Sequence, residues 1–146
     1  MSKKLLFNNL GGPKPSVMLI ASYTANRSGV VPTISSDCTY EVQEVQNTVN
    51  SSLYDVTITS KSIPSYMHMN NNRSIRSVNC FDTINMCNGF LNCKLLAGQP
   101  VCGNNVEDMT WAYCACNSIT GQPACGPNVT NMHQTYYYCY SLTGSP

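Results

Sequence analysis

The stretch that decides the fold reads CKLLAGQPVCGNNVEDMTWAYCA over residues 93–115 and CNSITGQPACGPNVTNMHQTYYY over residues 116–138. The two segments match at cysteine, glycine, proline, valine, methionine and tyrosine positions, and CYSLTGSP begins a third copy at Cys139. Self-similarity at a fixed period of roughly 20 to 50 residues is typical of stacked repeats. We therefore predict 23-residue repeats in the second half of the chain, with an incomplete last unit.

Each unit contains a turn followed by an apolar stretch. The turn carries Gly and Pro between two cysteines, and the apolar stretch carries Val106, Met109 and Tyr113, which the next unit repeats as Val129, Met132 and Tyr136. Gly and Pro favour turns, and short apolar runs between turns favour strands. We predict β repeats, preceded by a degenerate unit over about residues 74–92.

The first half also has β patterns. VMLIASYT (17–24) is rich in strand formers, and LYDVTIT (53–59) alternates apolar and polar residues. TYEVQEVQNTV (39–49) fits a strand or a helix, and we predict a strand; residues 60–76 favour a loop or linker. The predicted class is mainly β: a small β domain over residues 17–66, then a cysteine-rich repeat region over residues 67–146.

Residues 1–16 favour an N-terminal docking arm. A short apolar group is followed by Gly11, Gly12, Pro13 and Pro15, which continue neither a helix nor a strand. Such an arm either frays or docks its apolar residues into a neighbouring subunit. The candidate docking residues are Leu5, Leu6, Phe7, Asn8 and Asn9.

The chain has nine cysteines, and all except Cys38 lie between residues 80 and 139. Such density favours disulfides or a metal site. Disulfides within a unit would join Cys93 to Cys102 and Cys116 to Cys125, and bridges between units are equally compatible with the spacing. The structural disulfide candidates are Cys80, Cys87, Cys93, Cys102, Cys114, Cys116, Cys125 and Cys139.

The charge and the hydropathy of the sequence limit which kinds of partner and location we expect for the chain. A formal net charge of +1 with 10% charged residues does not favour nucleic-acid binding. The N-terminal residues MSKKLLFNNLGG lack the apolar core of a signal peptide, and no run reaches membrane-spanning length, so we expect synthesis in a host cytoplasm without membrane insertion.

No residue pattern favours catalysis or a cofactor, and the cysteines lack the paired C-x-x-C spacing or the histidines at fixed offsets that are typical of zinc sites. The sequence lacks a phosphate loop and a recognisable nucleophile motif, and His68 and His133 are isolated histidines in polar surroundings. The tyrosine-rich segment TYYYCY (135–140) fits a sugar- or protein-binding patch or, as we predict, a strand with one buried face. We predict a non-enzymatic protein.

The opening SKKLLFNN (2–9) resembles the start of many structural proteins of tailed bacteriophages, particularly head-fibre and tail-associated proteins. This resemblance implies a virion structural protein that attaches to capsid or tail proteins through its arm. We further expect a homo-oligomer and a host-surface ligand as a candidate partner. The alternatives are a secreted or surface adhesive module and an intracellular zinc-binding interaction domain.

Overall fold

The computed structural model describes residues 2–4 and 16–143. The candidate docking residues Leu5 to Asn9 lie outside the described residues. The described part is mainly β, as predicted, and contains no helix. Its strands are β1 (Ser2–Lys4), β2 (Met18–Ala25), β3 (Thr33–Ile34), β4 (Tyr40–Gln46), β5 (Tyr54–Ser60), β6 (Met67–His68) and β7 (Ile75–Phe81).

Five strands form one antiparallel sheet in the order β1-β4-β5-β2-β7. The two predicted strands with the strongest patterns, β2 and β5, are neighbours near its centre. On β5, Val56 and Ile58 alternate with partly exposed residues, because successive side chains of a strand point to opposite faces. The sheet therefore buries one face of β5 in the core.

The ambiguous segment 39–49 contains a strand, as predicted. β4 pairs with β5 residue by residue, from Tyr40 opposite Ser60 to Gln46 opposite Tyr54. Its one buried residue is Glu44, whose carboxylate accepts hydrogen bonds from the Gly29 amide at 2.7 Å and the Ser28 hydroxyl at 2.5 Å. A buried carboxylate needs such donors, since burial without them is costly.

The segment 60–76 is more ordered than the predicted linker. Met67 and Met69 are buried, and β6 pairs with β3 in a separate two-stranded sheet. β7, which follows the predicted boundary at residue 66, is the last strand of the five-stranded sheet and pairs with β2. The alternating Met-His-Met pattern is too short to stand out as a strand, so the sequence pattern did not indicate this order.

The second half stacks turns instead of extended strands. We call residues 86–93, 109–116 and 132–139 levels 1, 2 and 3. Backbone amides of level 1 donate to carbonyls of level 2, as from Asn88 to Thr110 at 3.0 Å and from Phe90 to Ala112 at 2.6 Å, and level 2 donates to level 3 in the same way. The predicted strand-like stretches are therefore wrong in their local geometry, although residues just before and just after successive levels share parallel bridges.

Each level consists of two consecutive tight turns. In level 1 the Gly89 amide donates to the Met86 carbonyl and the Cys93 amide to the Phe90 carbonyl. The third residue of each turn has a positive φ, which type II turns require. These residues are Asn88, Asn92, Trp111, Ala115, Gln134 and Tyr138, with φ between 51° and 64°.

The sheet joins the levels through Asp82, directly after β7. Its carboxylate accepts hydrogen bonds from the Asn105 amide at 2.9 Å and the Asn105 side chain at 2.8 Å. Gly103 packs against the same residue, and its amide donates to the Phe81 carbonyl at 3.0 Å. A Cβ added at Gly103 would lie 2.5 Å from the Cβ of Asp82, so this junction has no room for a side chain.

Replacing Gly103 by Ala is expected to destabilise the fold by roughly 1 to 3 kcal/mol, because the methyl group must displace Asp82. Urea unfolding followed by circular dichroism measures the change. Asn104→Ala, at the neighbouring exposed position, is the control and should change the free energy of unfolding by less than about 0.5 kcal/mol. Equal stability of the two variants would contradict the tight junction.

Candidate interaction surface

Four columns of side chains run through the levels. Each column takes one residue from each level or from the segment that directly follows it. The column residues of levels 1 and 2 are fully buried, whereas those of level 3 are only partly buried. The columns are Met86, Met109 and Met132; Phe90, Tyr113 and Tyr136; Cys93, Cys116 and Cys139; and Leu96, Ile119 and Leu142. Level 3 therefore presents an open apolar face among the described residues.

The aromatic column begins in the sheet. Phe81 of β7 contacts Phe90 with ring centroids 4.6 Å apart, and Phe90 stacks on Tyr113 at 5.2 Å. Tyr113 in turn stacks on Tyr136 at 5.5 Å, with nearly parallel rings. These contacts form one continuous core from the sheet to level 3.

The two tyrosines of this column also hold the chain segment outside each level. The Tyr113 hydroxyl donates to the Val101 carbonyl at 2.5 Å and accepts from the Val101 amide at 2.9 Å. Tyr136 makes the same pair of hydrogen bonds with Ala124, at 2.5 and 2.7 Å. A buried hydroxyl is thereby satisfied by both polar groups of one residue.

All nine cysteines of the described chain are free thiols. The pairing within a unit, Cys93 with Cys102 and Cys116 with Cys125, is not formed. Instead, the buried thiols of Cys93 and Cys116 donate to the carbonyls of Met69 and Phe90, at 3.1 and 2.8 Å. The column geometry accounts for this difference, because it directs Cys93 and Cys116 toward the core.

Burial controls the ionisation of these thiols. It raises the pKa of Cys93 to about 12 and that of Cys139 to about 11, since a thiolate is poorly solvated in the core. The same cause raises the pKa of Cys116, with the neighbouring Cys93 and Cys139 adding to it. The inner thiols therefore remain protonated, and act as hydrogen-bond donors, at neutral pH.

The remaining cysteines lie outside the inner columns. Cys80, Cys87 and Cys114 are partly buried, and desolvation raises the pKa of each. Cys102 is partly buried, whereas Cys125 is exposed.

The tyrosine-rich segment 135–140 divides between the core and the surface. Tyr136 points into the aromatic column, whereas Tyr137, Tyr138 and Tyr140 are exposed. The ring centroids of Tyr137 and Tyr138 are 4.0 Å apart, and those of Tyr138 and Tyr140 are 5.9 Å apart. Three tyrosines thus form a surface cluster in place of the predicted strand with one buried face.

Trp111 is an exposed aromatic side chain in level 2. Its indole nitrogen donates to the side-chain oxygen of Gln134 at 2.7 Å, which holds the ring over level 3. Exposed aromatic rings with nearby polar groups favour contact with sugars or with other proteins. The outer face of levels 2 and 3 therefore has the chemistry of an interaction surface.

Most carboxylates of the described chain support loops. Asp37 accepts from the hydroxyls of Ser35 and Ser65, Asp55 from Asn47, and Asp108 from Thr110. Across residues 2–4 and 16–143, no three His, Cys, Asp or Glu side chains are grouped so as to hold a metal ion. Within the same residues, no helix is long and apolar enough to cross a membrane.

The sequence patterns indicate neither the bridge from Asp82 to Asn105 nor the tyrosine links to Val101 and Ala124. The spacing of 12 residues from Val101 to Tyr113 and from Ala124 to Tyr136 is the signal that could have indicated the tyrosine links. Comparison with protein-family models, curated proteins and solved structures found no match.

Replacing Tyr113 by Phe is expected to destabilise the fold by roughly 1 to 3 kcal/mol, because the amide and carbonyl of Val101 lose their shared partner. Chemical unfolding followed by Trp fluorescence measures the difference. Tyr140→Phe is the matched control at an exposed tyrosine and should leave stability unchanged. If both variants unfold at the same denaturant concentration, the hydroxyl does not hold Val101.

Stability should fall in alkali. Burial raises the pKa values of Cys93 and Tyr113 in the folded state, so the unfolded chain loses its protons first, from about pH 8.5 for thiols and about pH 10 for tyrosines. The contribution of these protonated groups to the free energy of unfolding is complete below the pKa values of the unfolded chain, and it is lost as pH rises through the pKa values of the folded state. Urea unfolding between about pH 7 and about pH 11 measures it.

A free energy of unfolding that stays constant or increases across this alkaline range would contradict the burial of these groups. Tyrosinate absorbance gives an independent check. Tyr23, Tyr113 and Tyr136, whose pKa values are all raised by burial, should ionise only as the protein unfolds, after the more exposed tyrosines.

Proposed function

We propose that this chain is a non-enzymatic structural protein of a virion, of the fibre, decoration or adaptor type. In this proposal the five-stranded sheet is the base, and levels 1 to 3 are cysteine-rich repeats of 23 residues that project from it. The repeats present a continuous surface, because each level packs against its neighbours through the inner columns.

The open face of level 3 is the observation that carries the proposal. Met132, Tyr136 and Cys139 are partly exposed, although Met109, Tyr113 and Cys116 directly above them are fully buried. Partly exposed apolar side chains favour contact with another polypeptide surface. This chemistry suits a protein whose role is assembly, and it supports a homo-oligomer.

The polar groups of the described chain agree with a structural role. The carboxylates of Asp37, Glu44, Asp82 and Asp108 each accept hydrogen bonds from neighbouring hydroxyl or amide groups that fix a loop. Such carboxylates are engaged in holding the backbone. The site of attachment that we propose is the N-terminal arm, on the basis of the resemblance of residues 2–9 to phage structural proteins.

A secreted or surface adhesive module is the second candidate. The cluster of Tyr137, Tyr138 and Tyr140, together with the exposed ring of Trp111, favours it, because exposed aromatic side chains are typical of adhesive contacts. The location of the natural protein discriminates between the candidates. A virion protein copurifies with particles, whereas an adhesive module is found on or outside the producing cell.

Replacing Leu5, Leu6 and Phe7 together by Ser is expected to reduce incorporation into particles at least tenfold, because each apolar side chain loses roughly 1.5 to 3 kcal/mol of burial in the partner. This variant keeps Ser2–Lys4, which form β1, unchanged. Quantitative mass spectrometry of purified particles measures the number of copies per particle.

Leu95→Ser is the control, since Leu95 is an exposed leucine outside the arm, and its incorporation should match that of the unmodified chain. Circular dichroism should show that both variants remain folded. Normal incorporation of the triple variant would reject the docking role of the arm.

A further inference from the structure

We propose that Cys102 and Cys125 form an oxidation site, in which a disulfide between them joins two successive turns of the stacked half. This inference goes beyond the proposed function, because it depends only on the contacts within the stack. Of the two pairings compatible with the sequence, it favours a disulfide between two units over a disulfide within one unit.

The two cysteines occupy equivalent places. The Cys102 thiol lies 3.6 Å from the carbonyl oxygen of Gly103, and the Cys125 thiol lies 3.6 Å from that of Gly126. The chain segments that carry them are held together on both sides. The Thr120 amide donates to the Gly98 carbonyl at 2.9 Å, and the Asn128 side chain donates to the Asn104 carbonyl at 2.6 Å.

This stacking gives the spacing that a disulfide needs. Chain segments paired through backbone hydrogen bonds lie about 4.8 Å apart. A disulfide joins residues whose Cα atoms are roughly 4.4 to 6.8 Å apart. Because the flanking hydrogen bonds hold the two segments on neighbouring turns, rotation of the two side chains toward each other would bring the sulfur atoms into bonding range.

Gly126 shows how closely the two segments approach. A Cβ added there would lie 2.5 Å from the carbonyl oxygen of Gly103 and 3.2 Å from the Cys102 sulfur. The Cys102 thiol thus lies against the residue next to Cys125. Burial raises the pKa of Cys102 to about 11, and the charge of Cys125 contributes to the rise, as expected for neighbouring thiols.

The other thiols are poorer candidates. Cys93 and Cys116 are fully buried, and each already donates to a core carbonyl. Cys80 lines the same cavity of about 220 Å³ as Cys102, so a link between Cys80 and Cys102 is the competing outcome of the test. Because Cys125 is exposed and Cys102 is partly buried, an oxidant in solution reaches them before the core thiols.

Oxidised glutathione, a small disulfide, can oxidise the two cysteines through two thiol–disulfide exchange steps. The Cys125 thiolate attacks one glutathione sulfur, the glutathione S–S bond breaks, and one reduced glutathione leaves. The Cys102 thiolate then attacks the Cys125 sulfur of the mixed disulfide and releases the second glutathione. The two cysteines lose two electrons and two protons, and glutathione disulfide is reduced to two thiols.

Peptide mapping tests the proposal on the full-length protein. Dilute protein is incubated with oxidised glutathione, alkylated without reduction, and digested with trypsin and an Asp-specific protease. Residues 95–107 then carry Cys102 as their only cysteine, whereas residues 108–146 carry Cys125. We expect these two peptides to be linked, with tandem mass spectrometry assigning the bond to Cys102 and Cys125.

Two variants complete the test. Cys125→Ser should abolish the link, whereas Cys93→Ser, the control within the same unit, should retain it. Oxidation should raise the Tm of the unmodified protein by roughly 5 to 10 °C and leave that of Cys125→Ser unchanged. If Cys93→Ser does not fold, the control is the unmodified oxidised protein, in which the Cys93 thiol should remain unlinked and should be protected from alkylation by iodoacetamide until the protein is unfolded.

Three results would overturn the proposal. One is a link from residues 95–107 to Cys80 in residues 77–81 or to Cys93 in residues 82–94. Another is a dimer linked through Cys125. The third is the absence of any link after complete reaction of the exposed thiols.

Discussion

The stacking of Phe90 on Tyr113 and of Tyr113 on Tyr136 is the contact on which the second half depends. Ring centroids 5.2 and 5.5 Å apart match the distance between chain segments paired through their backbones. The aromatic column and the hydrogen bonds between levels therefore reinforce one register. A shift of one residue toward the N-terminus would replace these three rings in the core by Gly89, Ala112 and Thr135.

The turns that build each level have a conformational cost. A positive φ is tolerated by asparagine, which level 1 uses at Asn88 and Asn92, but it is unfavourable for Trp111 and Tyr138. Residues in this region cost on the order of 1 kcal/mol or more. The buried columns offset the cost in level 2, the partly buried column residues offset it to a smaller extent in level 3, and the same geometry directs Trp111 and Tyr138 outward to the surface.

The junction between the sheet and the levels relies on polar contacts and on the absence of a side chain. Asp82 binds Asn105 through both of its carboxylate oxygens, and Gly103 allows the two segments to meet. Phe81 then continues the sheet core into the aromatic column. A protein with 10% charged residues thus uses one carboxylate to fix the position of its second half. This rigid connection suits the proposed role as a projecting structural protein.

The mainly β class was predictable from the sequence, because alternating and β-branched residues mark β2 and β5, and glycine and proline mark the turns. The spacing of 23 residues was also visible, and it brings together residues such as Cys102 and Cys125 that the backbone places in equivalent positions. The contacts of the cysteine side chains were not predictable, since the spacing of cysteines in a sequence does not determine which groups they contact. Only the tertiary structure directs Cys93 and Cys116 into the core, exposes Tyr138 while burying Tyr136, and assigns β7 to the sheet. Each of these placements depends on which side of a turn or strand faces the packed interior. Contacts between residues that are distant in the chain determine that side.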